Sequence, residues 1–281
     1  VIRPTLFYRA SEMQAEELQA AQEEGFHCID QRTMVQKNDF VVGRYSVLPY
    51  YKETEEDIRY MGGTLINTLR QHLYIADLRN WAEDLGELTP KTWYRMEDFV
   101  REFMFHRNKG PFVLKGQTNS RKDRWKTHMH AANVDEALQV YERLLCDGFL
   151  RGGERPQEIY IREYVPLVTY AKGISDLPIT KEFRLFVYKG EVLTGGFYWS
   201  SWGDTCREAD PKWEAPRWEE IPWGFLNLVL MKIQAPFYVV DIAQDDNERW
   251  WVVDVNDGQM SGLSGNDPKT LYFHLFNALT R

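Results

Sequence analysis

The sequence predicts a mixed α/β (α+β) fold, and three observations carry that reading. Apolar, β-branched segments alternate with helical segments bounded by capping signals. Two stretches read as β-hairpins rich in valine and aromatic residues. The 281 residues are 43% hydrophobic and 27% charged, enough to bury a core shared by two or three small subdomains.

At the start, TLFYR reads as a strand, Ser11 with Gln14 as a capping box, and Gly25 as the end of that helix before a second strand, FHCID. Strand, helix, strand is half of a Rossmann-like unit. No GxGxxG turn follows the first strand, so dinucleotide binding is not expected there. A strand over 40–48 and helices over 54–60 and 64–72 complete an N-terminal α/β region, 1–95, bounded near Thr89 and Pro90.

The second unit, 96–281, opens with the helix MEDFVREFMFH, the strand PFVLKG (111–116) and a basic loop, QTNSRKDRWKTH. Asn133 and Glu136 form a capping box for VDEALQVYERLLC, and Gly148 marks its end. There follow the strand EIYIREYV (158–165), the hairpin EFRLFVYKGEVLTGGFYW (182–199) and a helix near 218–233. A last hairpin, FYVVDIAQDDNERWWVVDVNDG (237–258), precedes a helix capped by Asp267 and Pro268.

Composition narrows the function. A net charge of −8 argues against broad nucleic-acid binding, which needs a basic face. The ten tryptophans fit core and subdomain packing better than a base-stacking platform. Three cysteines without close spacing indicate neither a disulfide framework nor a zinc knuckle. No apolar run reaches the roughly 20 residues that span a bilayer, and VIRPTLFYRASEM lacks the blocks of a signal peptide, so a cytoplasmic protein without a membrane partner is expected.

The most informative segment is the last hairpin. Asp241 and Asp254 interrupt apolar strands, where an unpaired carboxylate is expensive. Alternation puts Asp254 and Asn256 on one face, and pairing can bring Asp241 beside them: three oxygen donors suited to Mg²⁺. The same spacing also suits a turn satisfied by Asp254 and Asn256. Lys115 lies in an apolar strand, either snorkelling at its end or reaching a ligand. Arg121, Lys122, Arg124 and Lys126 crowd the loop after it. In KEFRLFV, Glu182 and Arg184 share a face; Arg184 is either a phosphate-binding guanidinium or half of an ion pair with Glu182 or Asp254. Pro166 ends the strand at Val165, leaving backbone groups free beside Glu163. His128 and His130 read as ordinary surface histidines, and Ser11, Ser46 and Cys28 have no base partner.

The spacing of Asp241, Asp254 and Asn256, with PFVLKG, NSRK downstream, KEFRLFV and VVDVN, resembles the ATP-grasp superfamily, and in particular its arginine-and-two-lysines clade. The likeness covers roughly residues 96–264, and the eukaryotic cell-division-cycle ATP-grasp factor that assists assembly of translation initiation factor two is also similar. The resemblance implies an ATP-grasp fold after a Rossmann-like pre-ATP-grasp region, with a lid subdomain at about 96–165 and a metal-binding subdomain at about 166–281. It implies ATP and Mg²⁺ as cofactors: Lys115 on the α- and β-phosphates, Arg121 and Lys122 over the triphosphate, Glu163 and Val165 at the adenine, Arg184 at the transferring phosphoryl group, and Asp241, Asp254 and Asn256 on the metal. Small-molecule or peptide carboxylates and amines are the implied substrates, with a protein partner possible for an assembly factor. Asp254 departs from the glutamate that many such ligases carry, a shorter reach that favours monodentate coordination.

Overall fold

The computed structural model describes residues 2–147 and 157–281, so the helix end expected at Gly148 lies outside the described residues. The N-terminal part comprises β1 (Arg3–Tyr8), α1 (Ala15–Glu23), β2 (His27–Ile29), β3 (Asp39–Arg44), α2 (Tyr51–Tyr60), β4 (Thr64–Leu65), α3 (Leu69–Ala76) and α4 (Leu78–Leu85). Its four strands form one parallel sheet in the order β2-β1-β3-β4. The chain moves from β1 to β2 on one side and then crosses to β3 on the other, the winding of a Rossmann-like sheet.

Two local expectations change here. Ser11 makes no capping box: α1 starts at Ala15, and its N-cap, Gln14, makes no side-chain bond. The segment 64–72 divides into β4 and the start of α3, because Thr68 caps α3 through a reciprocal bond with Gln71 and so fixes the helix start at Leu69. Gly25 does end the first helical segment, at φ +96°, a backbone conformation that glycine adopts freely.

The second layer contains β5 (Thr92–Trp93), α5 (Met96–Phe103), β6 (Phe112–Gly116), α6 (Trp125–His128), β7 (His130–Ala131), α7 (Val134–Cys146) and β8 (Ile159–Glu163). Its strands run antiparallel as β5-β8-β6-β7, with one face covered by α5 and α7 through Phe99, Phe112, Val140 and Leu144. Asn133 caps α7 by accepting from the Glu136 N–H, while the Glu136 carboxylate reaches the Ala132 N–H, one residue before the position a capping box requires.

The remainder comprises β9 (Thr169–Lys172), β10 (Pro178–Thr180), β11 (Glu182–Tyr188), β12 (Glu191–Phe197), α8 (Gly203–Ala209), α9 (Trp223–Leu230), β13 (Phe237–Gln244), β14 (Trp250–Asp257) and α10 (Pro268–Thr280). The antiparallel sheet β12-β11-β13-β14 is the centre of the molecule. One face, with Phe183, Leu185, Val240, Ile242 and Val252, buries against α4 and α9. The other packs at one end on α1, α10 and the N-terminal sheet through Phe186, Val239, Leu6 and Tyr272. At its other end that face carries the charged residues described next.

Candidate active site

Strand register builds the charged row. Gly196 pairs with Arg184, Arg184 with Asp241, and Asp241 with Asp254, so three ionised side chains stand side by side across β11, β13 and β14. The last pairing depends on a β-bulge. Ile242 faces Val252, but Asp241 faces Asp254, which leaves Val253 as the extra residue. Without that residue Asp241 would oppose Val253 and the two carboxylates would point to opposite faces. Asn256, opposite Val239, follows on the same face.

Arg184 grips Asp241 with two parallel bonds, Nε to Oδ1 at 2.9 Å and Nη2 to Oδ2 at 2.8 Å. Its Nη1 donates to the Gly262 carbonyl at 3.0 Å, and the guanidinium lies 4.7 Å from the centre of the Tyr198 ring. The ion-pair partners expected from sequence were Glu182 or Asp254. The register selects Asp241 because it lies directly opposite Arg184 on the neighbouring strand.

Asp254 is the end of the row that faces a cleft. The Lys115 ammonium, from β6, donates to Asp254 Oδ1 at 3.0 Å and joins the β5-β8-β6-β7 sheet to the central sheet. Beside it, the Arg162 guanidinium donates to the bulge carbonyl of Val253 at 2.8 Å and to Thr89 Oγ1 at 2.6 Å. Lys122 reaches in from the basic loop, donating to the Tyr198 hydroxyl at 2.8 Å and lying over the rings of Tyr198 and Trp199. The cleft encloses about 850 Å³ including its open mouth, and Trp125, Met129 and Leu177 supply its apolar wall. Glu163 and Val165 line it at the end of β8. The N–H groups of Glu163 and Tyr164 are bound to Lys91 and Pro111 carbonyls, while that of Val165 has no hydrogen-bond partner among the described residues.

Electrostatics in the cleft favour an anion. Burial, reinforced by Arg162 and Lys122, holds the Lys115 ammonium below its ordinary range although Asp254 opposes the shift. Burial likewise lowers Arg162 to about 10. Asp254 shifts down: burial alone would raise it, but Lys115 and Lys122 outweigh that. Lys122 shifts up, since Tyr198, Glu182 and Asp254 together outweigh its burial. The cleft wall thus carries three cations, Lys115, Lys122 and Arg162, and three carboxylates, Asp254, Glu182 and Glu163, of which Glu163 is exposed.

Glu182 is raised to about 7, chiefly by burial, with Lys122 opposing and Asp241 adding to the shift. It accepts from Thr180 Oγ1 at 3.1 Å and Trp199 Nε1 at 3.0 Å. A carboxyl whose folded pKa lies above its unfolded value binds more protons in the native state between the two. Its contribution to stability is therefore full below about 4.5 and is lost as pH rises through about 7. Glu182→Gln is expected to raise the melting temperature relative to wild type more at pH 8 than at pH 5, by up to a few kcal/mol in stability. Equal shifts at both pH values would refute the assignment.

Of the residues singled out by sequence, Lys115, Lys122, Glu163, Val165 and Asp254 line one cleft, and Arg184, Asp241 and Asn256 continue from it along the sheet. Arg121 instead turns toward the end of α7, where Nε lies 2.9 Å from Asp147. Lys126 pairs with Asp176 at the surface. His128 ends α6 and His130 sits in β7, its ring edge-on to Tyr164. Sequence reasoning missed Arg162 and Tyr198. For Arg162 the signal was present: it is a charge in the apolar strand IYIRE, and pairing opposite Val113 puts it on the face that Lys115 occupies.

Oxygen donors on this hairpin suit a hard cation. Asp254 Oδ2 makes no hydrogen bond among the described residues, and the Asn256 amide follows on the same face, whereas both Asp241 oxygens already accept from Arg184. Among the described residues no group of three or more His, Cys, Asp or Glu side chains converges as a metal cage. Two carboxylates and an amide match Mg²⁺, which fills its shell with water and phosphate oxygens.

No curated protein sequence matches the chain. Its fold is similar to that of D-cycloserine synthetase DcsG, with a TM-score of 0.62 at 12% identity, covering 98% of this chain and 99% of that one. A RimK domain protein ATP-grasp from Sphaerobacter thermophilus aligns with a TM-score of 0.57 at 13% identity, over 97% of this chain and 98% of that one. The ATP-grasp ligase PsnB, complexed with a minimal precursor, gives 0.58 at 10% identity, over 100% and 99%. Residues 104–275, more than half of the sequence and all of the charged row, match the model of the ATP-grasp domain of the arginine-and-two-lysines clade, family 3, and the chain belongs to that family.

Proposed function

We propose that the chain is an ADP-forming ligase that uses ATP and Mg²⁺ to activate a carboxylate as an acyl phosphate and joins it to an amine or another nucleophile. The observation that carries this reading is the convergence of Lys115, Lys122 and Asp254 in one cleft between two sheets. Burial and the neighbouring cations Arg162 and Lys122 already hold the Lys115 ammonium below its ordinary range, so a polyphosphate relieves an electrostatic strain that already exists.

In this reading the Val165 N–H and the Glu163 backbone face the adenine edge, with Trp125, Met129 and Leu177 against the ring. Lys115 releases Asp254 to bind the α- and β-phosphates, and Lys122, held by Tyr198, contacts the outer phosphates. Arg184 is held in a fixed plane by Asp241 and Gly262, so it meets charge developing on the transferring group without reorganising. Arg121, on the same loop as Lys122, closes over the triphosphate when it leaves Asp147. Asp254 and Asn256, with Asp241 behind them, would hold Mg²⁺, which when bound neutralises charge on the phosphate oxygens. The chain's own task is positioning and exclusion of water, since an acyl phosphate is hydrolysed when water reaches it.

Binding is the first test. At about a hundred times the dissociation constant, Mg-ATP is expected to add roughly 2.7 kcal/mol to stability, read as a thermal shift. GTP and CTP are expected to shift it less. No shift at millimolar Mg-ATP would remove the reading. An ¹⁸O label in the acyl donor should then appear in released phosphate; its absence across a broad screen of carboxylates and acceptors would favour nucleotide-dependent binding of a protein partner over ligation.

A further inference from the structure

A second cavity opens at the C-terminal ends of β1, β2 and β3, with Tyr8, Arg9, Asp30, Arg32, Ser46 and Thr54 among its walls. Its position is not arbitrary. In an open parallel sheet, ligands settle outside the strand carboxyl ends where the winding reverses, because the loops there diverge and leave a crevice. In the order β2-β1-β3-β4 the reversal lies between β1 and β3, and Arg9 and Ser46 follow those two strands. The space, about 480 Å³ including its mouth, falls in the range of small-molecule sites.

The wall chemistry is specific. Arg9 donates Nη2 to the Leu48 carbonyl at 2.6 Å and pairs Nη1 with Glu12, which anchors the guanidinium. Arg32 is braced by Asp57 at 2.9 Å and by Thr54. The remaining N–H groups of both arginines make no hydrogen bond among the described residues, so each keeps donors for a ligand. Asp30, at the end of β2, makes neither an ion pair nor a hydrogen bond among the described residues. Ser46 donates to the Phe7 carbonyl at 2.6 Å, which leaves its oxygen as an acceptor. A braced guanidinium takes a carboxylate or a phosphate in its fork, and the Asp30 carboxylate in the same cavity disfavours a phosphate dianion and attracts an ammonium.

Backbone contacts tie the wall of this cavity to the charged row. Tyr45, next to Ser46, donates its N–H to the Gln259 carbonyl at 3.0 Å. The same loop, three residues on, offers the Gly262 carbonyl to Arg184 at 3.0 Å.

From this arrangement we infer that the N-terminal cavity binds a free α-amino acid as the amine substrate, its carboxylate on Arg9 and Arg32 and its ammonium toward Asp30. The inference rests on the ligase reading above, and the chemistry agrees with it. A carboxylate held by two arginines is not the one being phosphorylated, so the ligand in this cavity is the partner that brings the nitrogen. The ammonium gives one proton to water and the free amine adds to the acyl carbon. The C–O bond to phosphate then breaks with its electron pair on the phosphate, which takes the second N–H proton.

The test is calorimetric titration of the full chain with each proteinogenic amino acid, alongside the matching amine without the carboxylate, the matching acid without the amine, and the matching Gly-Xaa dipeptide. At least one amino acid is expected to bind, with each truncated analogue and the dipeptide about tenfold or more weaker. Arg32→Ala is expected to weaken it by a similar factor, with Arg9→Gln as a second variant if the first does not fold. Binding of no amino acid, or equal binding of the amine or of the dipeptide, overturns the inference. A wild-type protein that shows a Mg-ATP thermal shift but takes up no amino acid overturns this inference alone, whereas loss of the Mg-ATP shift overturns the ligase reading beneath it.

Discussion

Asp254→Asn is expected to lower ATP turnover on the order of a hundredfold or more, and to raise the Mg²⁺ concentration for half-maximal rate by about 10–100-fold. The substitution keeps shape and removes charge. Asp254 is the one member of the row that lines the cleft, and its Oδ2 is open while Oδ1 accepts from Lys115. An amide in its place leaves Lys115 and Arg162 without their shared counter-ion, so the cleft becomes more positive and metal-free ATP binds at least as well as before. That combination, intact nucleotide binding with weakened Mg²⁺ binding, is what separates a metal ligand from a residue that only stabilises the fold. Lys115→Ala should give the opposite pattern: ATP binds more weakly and the Mg²⁺ requirement changes little. Turnover and Mg²⁺ titrations of the two variants decide, and an Asp254→Asn protein with wild-type values for both would show that the hairpin is structural.

Much of this was legible in the sequence because strand alternation and hydrophobic patterning are strong signals. Asp241 and Asp254 stand out as carboxylates in runs of valine, Lys115 as an ammonium in PFVLKG, and each lies on the strand its pattern indicates. What alternation does not encode is register. The bulge at Val253 is invisible in VVDVN, yet it turns Asp254 to the face of Asp241 and frees the carbonyl that holds Arg162. The partner of Arg184 was missed for the same reason: Glu182 and Asp254 are near in sequence or chemistry, but Asp241 is directly opposite. Local propensity failed where tertiary contacts override it. Ser11 has the spacing of a cap but the helix begins four residues later. Long-range contacts such as Arg162 with Thr89 have no sequence signature, since 73 residues separate the two.

Arg184→Ala is expected to destabilise the protein by about 3–5 kcal/mol, the range seen when one partner of a buried ion pair is removed. The Arg184 side chain is 10% exposed and that of Asp241 1%, so the carboxylate left behind has almost no access to water. It would also lose both of its charge-assisted hydrogen bonds, and the Gly262 carbonyl would lose its donor. Removing both charges should be milder than removing one. Arg184→Ala with Asp241→Ala is therefore expected to unfold at higher denaturant than Arg184→Ala alone, since no buried charge remains unpaired. Rate must be measured where the variant is still folded, well below its melting temperature. There the proposed reaction predicts that kcat falls with little change in KM for ATP, because in that reading a guanidinium already fixed by Asp241 acts on charge that develops only during phosphoryl transfer. An Arg184→Ala protein as stable as wild type would mean the pair is not anchored as the register implies. Full activity in a folded variant would place the phosphoryl contact elsewhere, with Lys122 the next candidate because Tyr198 aims its ammonium into the same cleft.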